Sequence, residues 1–135
     1  MTMLKWSVSI FVLIFAMGCT KDTDCFPDES CDTLPYPTGD VKIRMTPNLS
    51  SDGVLLVFYN GFVEDRDTLW SGYVADSEVV FEVEVDKRYA AEVYYPQGGS
   101  WLVALDGKKL KEEFTRDCGE KCYSYPSVTL DCRKK

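Results

Sequence analysis

Val79, Phe81, Val83 and Val85 alternate with Val80, Glu82, Glu84 and Asp86, so that one set of alternate side chains is wholly apolar and the other carries the charge. Only an extended chain sends alternate side chains to opposite sides, which makes this segment a strand with one buried and one wet face. The same period recurs in Val41, Ile43 and Met45 against Lys42, Arg44 and Thr46. It returns in Tyr89, Ala91, Val93 and Tyr95 against Glu92 and Tyr94, and in Val128, Leu130 and Cys132 against Thr129 and Asp131. Val54 to Tyr59 is apolar throughout, is too short for a helix, and reads as a central strand covered on both faces. Thr68 to Val74 is aromatic and β-branched, with Gly72 expected to mark a bulge. Asn60-Gly61, Pro96-Gln97-Gly98-Gly99 and Asp106-Gly107 are turn signals, and the last predicts a hairpin between strands at 101–105 and 109–115. No helical period follows residue 18. Seven or eight short strands separated by turns predict an all-β chain folded as an antiparallel β-sandwich.

The chain of 135 residues divides into three parts by composition. Residues 1–18 read as a signal peptide: a charged start ending at Lys5, an apolar run from Trp6 to Met17 relieved by Ser7 and Ser9, then Gly18. That run falls short of the roughly 20 residues that a membrane-spanning helix requires. Residues 19–38 carry Asp22, Asp24, Asp28, Glu29 and Asp32 with Pro27, Pro35 and Pro37 and no hydrophobic period, as a tether does. Residues 39–135 form the sandwich domain. The formal net charge of −7 opposes a phosphate backbone, so no nucleic-acid partner is expected. Histidine is absent, which removes the commonest general base at neutral pH and the commonest metal ligand. No enzymatic activity, cofactor or metal is expected.

Ala16-Met17-Gly18-Cys19 resembles a bacterial lipobox, in which a small residue precedes the cysteine that receives a diacylglyceryl group. Ala16 and Met17 depart from the usual pattern in the direction of the looser versions found among Bacteroidetes. The polar, acidic stretch Thr20 to Asp24 is similar to those behind the lipidated cysteine of exported lipoproteins. The resemblance implies lipid attachment at Cys19, an N-terminal anchor in a bacterial membrane (the outer membrane in the first instance), and a place in the cell envelope. Without lipidation, Ala16 and Gly18 fit an ordinary cleavage site and the chain is secreted. The strand-and-turn layout from about residue 39, with Tyr89 to Tyr95 near its middle, resembles transthyretin-like and carboxypeptidase-regulatory-like sandwiches. More loosely, Asp106-Gly107 followed by Cys118 to Tyr123 resembles small bacterial lipoproteins that have no known activity.

An exported chain uses cysteine for disulfides by default. Cys118 and Cys122 flank three residues, and Cys25 and Cys31 lie close together in the tether, so each pair is a candidate for a local bridge; Cys118–Cys122 is the pairing expected first. A zinc site from Cys25, Cys31, Cys118 and Cys122 matches metal-ligand spacings only in part. If Cys19 is lipidated five cysteines remain, and Cys132, on the face of Val128 and Leu130, is the one expected to stay free and buried. This odd count weighs slightly against lipidation.

Aromatic side chains supply the remaining surface chemistry. Trp70, Tyr73, Tyr94, Tyr95, Trp101, Tyr123 and Tyr125 are candidates for a stacking platform, and Tyr94, beside the charged Glu92, is expected to be the exposed one. Glu64-Asp65-Arg66-Asp67 reads as a solvated loop, because it lacks a calcium-loop pattern and holds a cation. The basic C-terminal segment is expected to lie against the acidic strand at 79–86. These features suit a membrane-anchored binding or structural accessory module with an extracellular protein or glycan as partner. The alternative is a small secreted glycosidase-like enzyme using Glu92 or Glu82 with Asp106.

Overall fold

A computed structural model describes residues 30–47 and 52–135. The leader, Cys19, Cys25 and the Asn48-Leu49-Ser50 sequon lie outside the described residues. The fold is all-β, with nine strands among the described residues: β1 (Thr38–Arg44), β2 (Val54–Asn60), β3 (Thr68–Val74), β4 (Glu78–Glu84), β5 (Lys87–Gln97), β6 (Ser100–Leu110), β7 (Glu113–Asp117), β8 (Glu120–Ser124) and β9 (Ser127–Asp131). One layer has the order β4-β1-β9, the second β3-β2-β5-β6, and β7-β8 is a separate hairpin. Neither layer closes into a barrel, and the arrangement is a β-sandwich. All pairings are antiparallel except β1 with β9, which run parallel, so the sandwich is not purely antiparallel as expected.

The alternation read in the sequence decides what faces inward. Val41 and Ile43 of β1, Leu56 and Phe58 of β2, Ala91, Val93 and Tyr95 of β5, and Leu130 of β9 are buried together between the layers. Val79, Phe81 and Val83 of β4 pack against that core from its rim. Phe81 stacks on Phe58 at a centroid distance of 4.5 Å, which joins the two layers along the β4 edge. Cys132 is a free thiol buried in this core, and burial followed by the nearby Asp106 pushes its pKa up to about 12. It behaves there as a small hydrophobe.

Three turn and packing expectations are corrected. β6 runs unbroken through Asp106-Gly107 instead of turning. Gly107 sits where neighbours approach closely: a Cβ there would lie 3.0 Å from the Arg88 guanidinium and 3.3 Å from the Ala90 methyl. Asp106 accepts a hydrogen bond from the Asp131 amide at 2.9 Å, so its carboxylate is spent on joining β6 to β9. The irregularity in the β2–β3 ladder falls between Phe58 and Tyr59, opposite Leu69, and not at Gly72. The basic terminus does not lie on β4, because β9 takes its place beside β1, where Arg133 pairs with Asp131 instead.

The disulfide pairing also differs from the local one. Cys31 is bonded to Cys122, with 4.8 Å between their Cα atoms and a sequence separation of 91. Cys118 is disulfide-bonded too, and not to Cys122. The reason is the β7–β8 register: Cys118 and Gly119 form the tight turn, with φ of 51° and 79°, while Cys122 sits in the strand opposite Thr115. The zinc reading of these cysteines falls with it. The segment before β1 is thereby tied to the hairpin, and the Tyr123 amide adds a 2.7 Å hydrogen bond to the Asp32 carbonyl.

A bridge closing so long a loop removes about 4 kcal/mol of chain entropy from the unfolded state on the loop-closure account. Changing Cys31→Ser and Cys122→Ser together should lower unfolding stability in denaturant by about 2–4 kcal/mol. A loss below about 0.5 kcal/mol would show that the bridge only dresses the hairpin.

Candidate functional site

The outer face of the β3-β2-β5-β6 sheet carries the side chains that alternate with the core. Tyr73, Leu55, Tyr94 and Val103 form one row across the four strands, and Ser71, Val57, Glu92 and Leu105 the next. A sheet face that looks outward is ordinarily polar, yet Tyr73, Trp101 and Leu105 are all more than half exposed here. This concentration of exposed apolar area is the principal surface anomaly of the described residues.

At one end of the face an open cleft of about 530 Å³ is lined by Asp52, Gly53, Leu55, Tyr73, Pro96 and Trp101. Its walls come from the two sheet edges, Tyr73 on β3 and Trp101 on β6, on strands three spacings or about 14 Å apart and one cross-strand row apart along them. Leu55 and Pro96 supply an apolar floor from the two central strands. Gly98 and Gly99, at φ of 54° and 83°, make the tight β5–β6 turn that brings Trp101 opposite Pro96. Asp52 supplies a carboxylate at the rim.

The other end of the same face is closed by charge. After β2 the chain passes through a single 3-10 turn, Val63–Asp65, and reverses at Arg66 in the left-handed region at φ 55°. Arg66 donates to the Tyr59 hydroxyl at 3.1 Å and lies 3.5 Å from the Glu92 carboxylate. Glu92, only 4% exposed, also accepts a hydrogen bond from the Tyr94 hydroxyl. A carboxylate this buried requires such partners. The hydrogen bond to Glu92, then burial, raises the Tyr94 pKa above its ordinary value by holding the proton on the phenol.

Sequence reasoning placed Tyr94 and Glu92 on the right face and drew the wrong consequence. The strand alternation marks Glu92 as solvent-facing, but Arg66 folds over it from a loop read only as solvated, so Tyr94 becomes half-buried and points its hydroxyl at Glu92. The most exposed aromatics of the candidate set are Tyr73 and Trp101, with Tyr125 and Trp70 less so, while Asp52, Leu55 and Pro96 went unselected for a role at the surface. Trp70 and Tyr95 face the core side, and Tyr123 and Tyr125 lie on and beside the β8 strand. Two acids of that loop are engaged, Asp65 with the Phe62 amide and Asp67 with Asn60. No cluster of metal-ligating side chains occurs among the described residues.

The carboxylates of the alternative enzyme reading are not brought together. Glu82 is on the other layer and accepts from Thr38, while Glu92 and Asp106 occupy opposite faces of the β5–β6 pair. No family model, curated protein or solved structure matches the chain.

Replacing Glu92→Gln removes the charge that holds the Tyr94 proton and that pairs with Arg66. The Tyr94 phenol should then titrate closer to an ordinary tyrosine in a tyrosine-labelled NMR titration, and stability at pH 7 should fall by about 1–2 kcal/mol. Because the folded Tyr94 pKa is raised, its own contribution is present below the unfolded tyrosine value near 10 and is lost as pH rises through the folded value. An unshifted Tyr94 titration in the variant would dissolve the cluster.

Proposed function

We propose that the chain is an exported lipoprotein, anchored through a lipid on Cys19, whose sandwich binds a neutral glycan in the cleft between Tyr73 and Trp101. The observation that carries the binding reading is the cleft itself, with its two exposed aromatic walls over an apolar floor. The apolar C–H faces of a sugar ring stack on aromatic rings, and its hydroxyls donate to a carboxylate such as that of Asp52. A binding role is favoured over catalysis because the sequence has no histidine and the acids engaged elsewhere do not share this cleft. An acidic polymer suits a chain of net charge −7 less well than a neutral one.

The cysteine count accommodates the anchor. Cys31 and Cys122 are bonded to each other, Cys132 is free, and Cys118 takes one further partner. Giving Cys118 the tether cysteine Cys25 satisfies the count and leaves Cys19 for the lipid. The odd number that weighs against lipidation is therefore absorbed by the buried Cys132 thiol. The long-range disulfide also accords with an oxidising compartment outside the cytoplasm.

Two measurements test the reading. In titrations of neutral oligosaccharides followed by tryptophan fluorescence and calorimetry, Tyr73→Ala and Trp101→Ala should each weaken binding by about tenfold, a loss near 1.4 kcal/mol, while leaving the melting transition within a few degrees. Unchanged binding in both variants, or no binding by the wild type at millimolar sugar, overturns the glycan assignment. Cys19→Ala should move the protein from the membrane fraction to the soluble one. A wild type that is itself soluble with a free N-terminal amine overturns the anchor.

A further inference from the structure

The two long edges of the sandwich are finished differently. On one side β6 and β9 are laced across the layers: Lys108 donates to the Thr129 carbonyl at 2.6 Å and the Asp131 amide to Asp106 at 2.9 Å. On the other side β3 ends the sheet with β2 as its one partner strand among the described residues. Every second residue of an edge strand turns its N–H and C=O outward, a ready template for another extended chain. Proteins commonly blunt such an edge with charge, proline or a bulge. β3, Thr-Leu-Trp-Ser-Gly-Tyr-Val, contains no charge and no proline, and its irregularity at Leu69 leaves Trp70 to Val74 regular. β4, the corresponding edge of the other layer, carries Glu78, Glu82 and Glu84.

A second observation points to the same edge. Trp70 lies on the core side of β3, where its ring tilts against Phe81 at 5.6 Å, and yet it is 38% exposed. The seam between the layers is therefore open beside it, and a tryptophan is a costly residue to leave half-covered.

We infer that β3 is a self-association edge, pairing antiparallel with β3 of a second copy of this chain across a two-fold axis near Gly72. The stretch suits itself in that arrangement. With Gly72 facing Gly72, Trp70 meets Val74 on the core side and Ser71 meets Tyr73 on the outer side, so no two charges are opposed. The Trp70 ring already lies over Gly72, where an added Cβ would come within 2.9 Å of it, and a glycine in the partner strand leaves room for both rings. A chain of net charge −7 repels its own copies over most of its surface, and an uncharged strand is the place for two copies to meet. Two of the three β4 glutamates are offset by cations, Glu78 by Arg44 and Glu84 by Lys87, which leaves Glu82 as the one unneutralised charge on that edge. The contact is isologous and closes at two copies. The outer faces of both sheets then join into one eight-stranded surface.

Sedimentation of the full chain, in detergent where it carries lipid, should show a concentration-dependent monomer–dimer equilibrium. Ser71→Lys brings two ammonium groups together on adjacent strands and should weaken the dimer about tenfold, with an unchanged circular dichroism spectrum. Ser71 lines neither the cleft nor the core. Ser71→Cys should cross-link efficiently with a short bismaleimide, because residues 71 of the two copies are diagonal neighbours within about 8 Å. Lys109→Cys on β6, the far edge of the same sheet, serves as the control and should not cross-link above the wild type. A wild type that stays monomeric over the whole concentration range overturns the inference, as does a dimer indifferent to Ser71→Lys or a Ser71→Cys cross-link no faster than the control. These outcomes leave the glycan reading untouched, since Trp101, on the far edge strand β6, tests it apart from β3.

Discussion

The Tyr95 hydroxyl is the knot on which the two layers depend. It is 1% exposed at the inner face of β5, accepts a 2.9 Å hydrogen bond from the Thr46 amide and donates a 2.7 Å one to the Cys132 carbonyl. Those two backbone groups lie just past the ends of β1 and β9, which belong to the opposite sheet. A phenol is suited to this place because its ring adds apolar area to the core while its oxygen reaches groups that the ladders leave unpaired. Cys132 completes the arrangement with a 2.9 Å hydrogen bond to the Arg44 carbonyl, and Lys134 covers the ring at 5.0 Å. The unexpected parallel pairing of β1 and β9 follows from this convergence, since both strands must run the same way for their ends to meet at one tyrosine.

Burial alone does not orient the N-terminal segment, and covalent chemistry does so instead. Its acids and prolines offer little to bury, and it would be a free tether on composition alone. Cys31–Cys122, the Asp32 contact to Tyr123 and the edge-on packing of Tyr36 on Tyr125 fix the described part of it along the β7–β8 hairpin. The hairpin in turn gains a reason to exist: two five-residue strands with one tight turn are marginal in isolation and become stable when stapled to a neighbouring segment.

Which faces point inward was legible at almost every strand, because a period of two is a local property and survives any topology. Val79, Phe81 and Val83 are inward as read, and so are Leu130 and Cys132. What could not be read were the choices made between distant segments. Asp106-Gly107 has the composition of a turn, but the glycine lies within a strand, close against Arg88 and Ala90 on the neighbouring strand, nineteen and seventeen residues away. Cys118 and Cys122 are close in sequence and kept apart by a strand register that no spacing rule contains. The candidate site fared likewise: strand alternation placed Tyr94 and Glu92 on the outer face, while the folding of Arg66 over them is a loop conformation that only the three-dimensional contact reveals.

That loop also explains how an apolar cleft can persist on an outward sheet face. Leu55 and Tyr73 would be free to collapse over the central strands if the whole face were open and soft. Glu92, buried and held from two sides by Arg66 and Tyr94, makes one half of the face rigid, because moving any of the three leaves a charge without its partner. Tyr94, adjacent to Leu55 in the cross-strand row, is thereby fixed by its hydroxyl and cannot swing across the floor of the cleft. At the far end, the glycine turn holds Trp101 at the edge opposite Pro96, a residue with no rotatable side chain. The polar half of the face and the apolar half are thus one device: the first spends its charges on rigidity, and the second stays open because its neighbours cannot move into it.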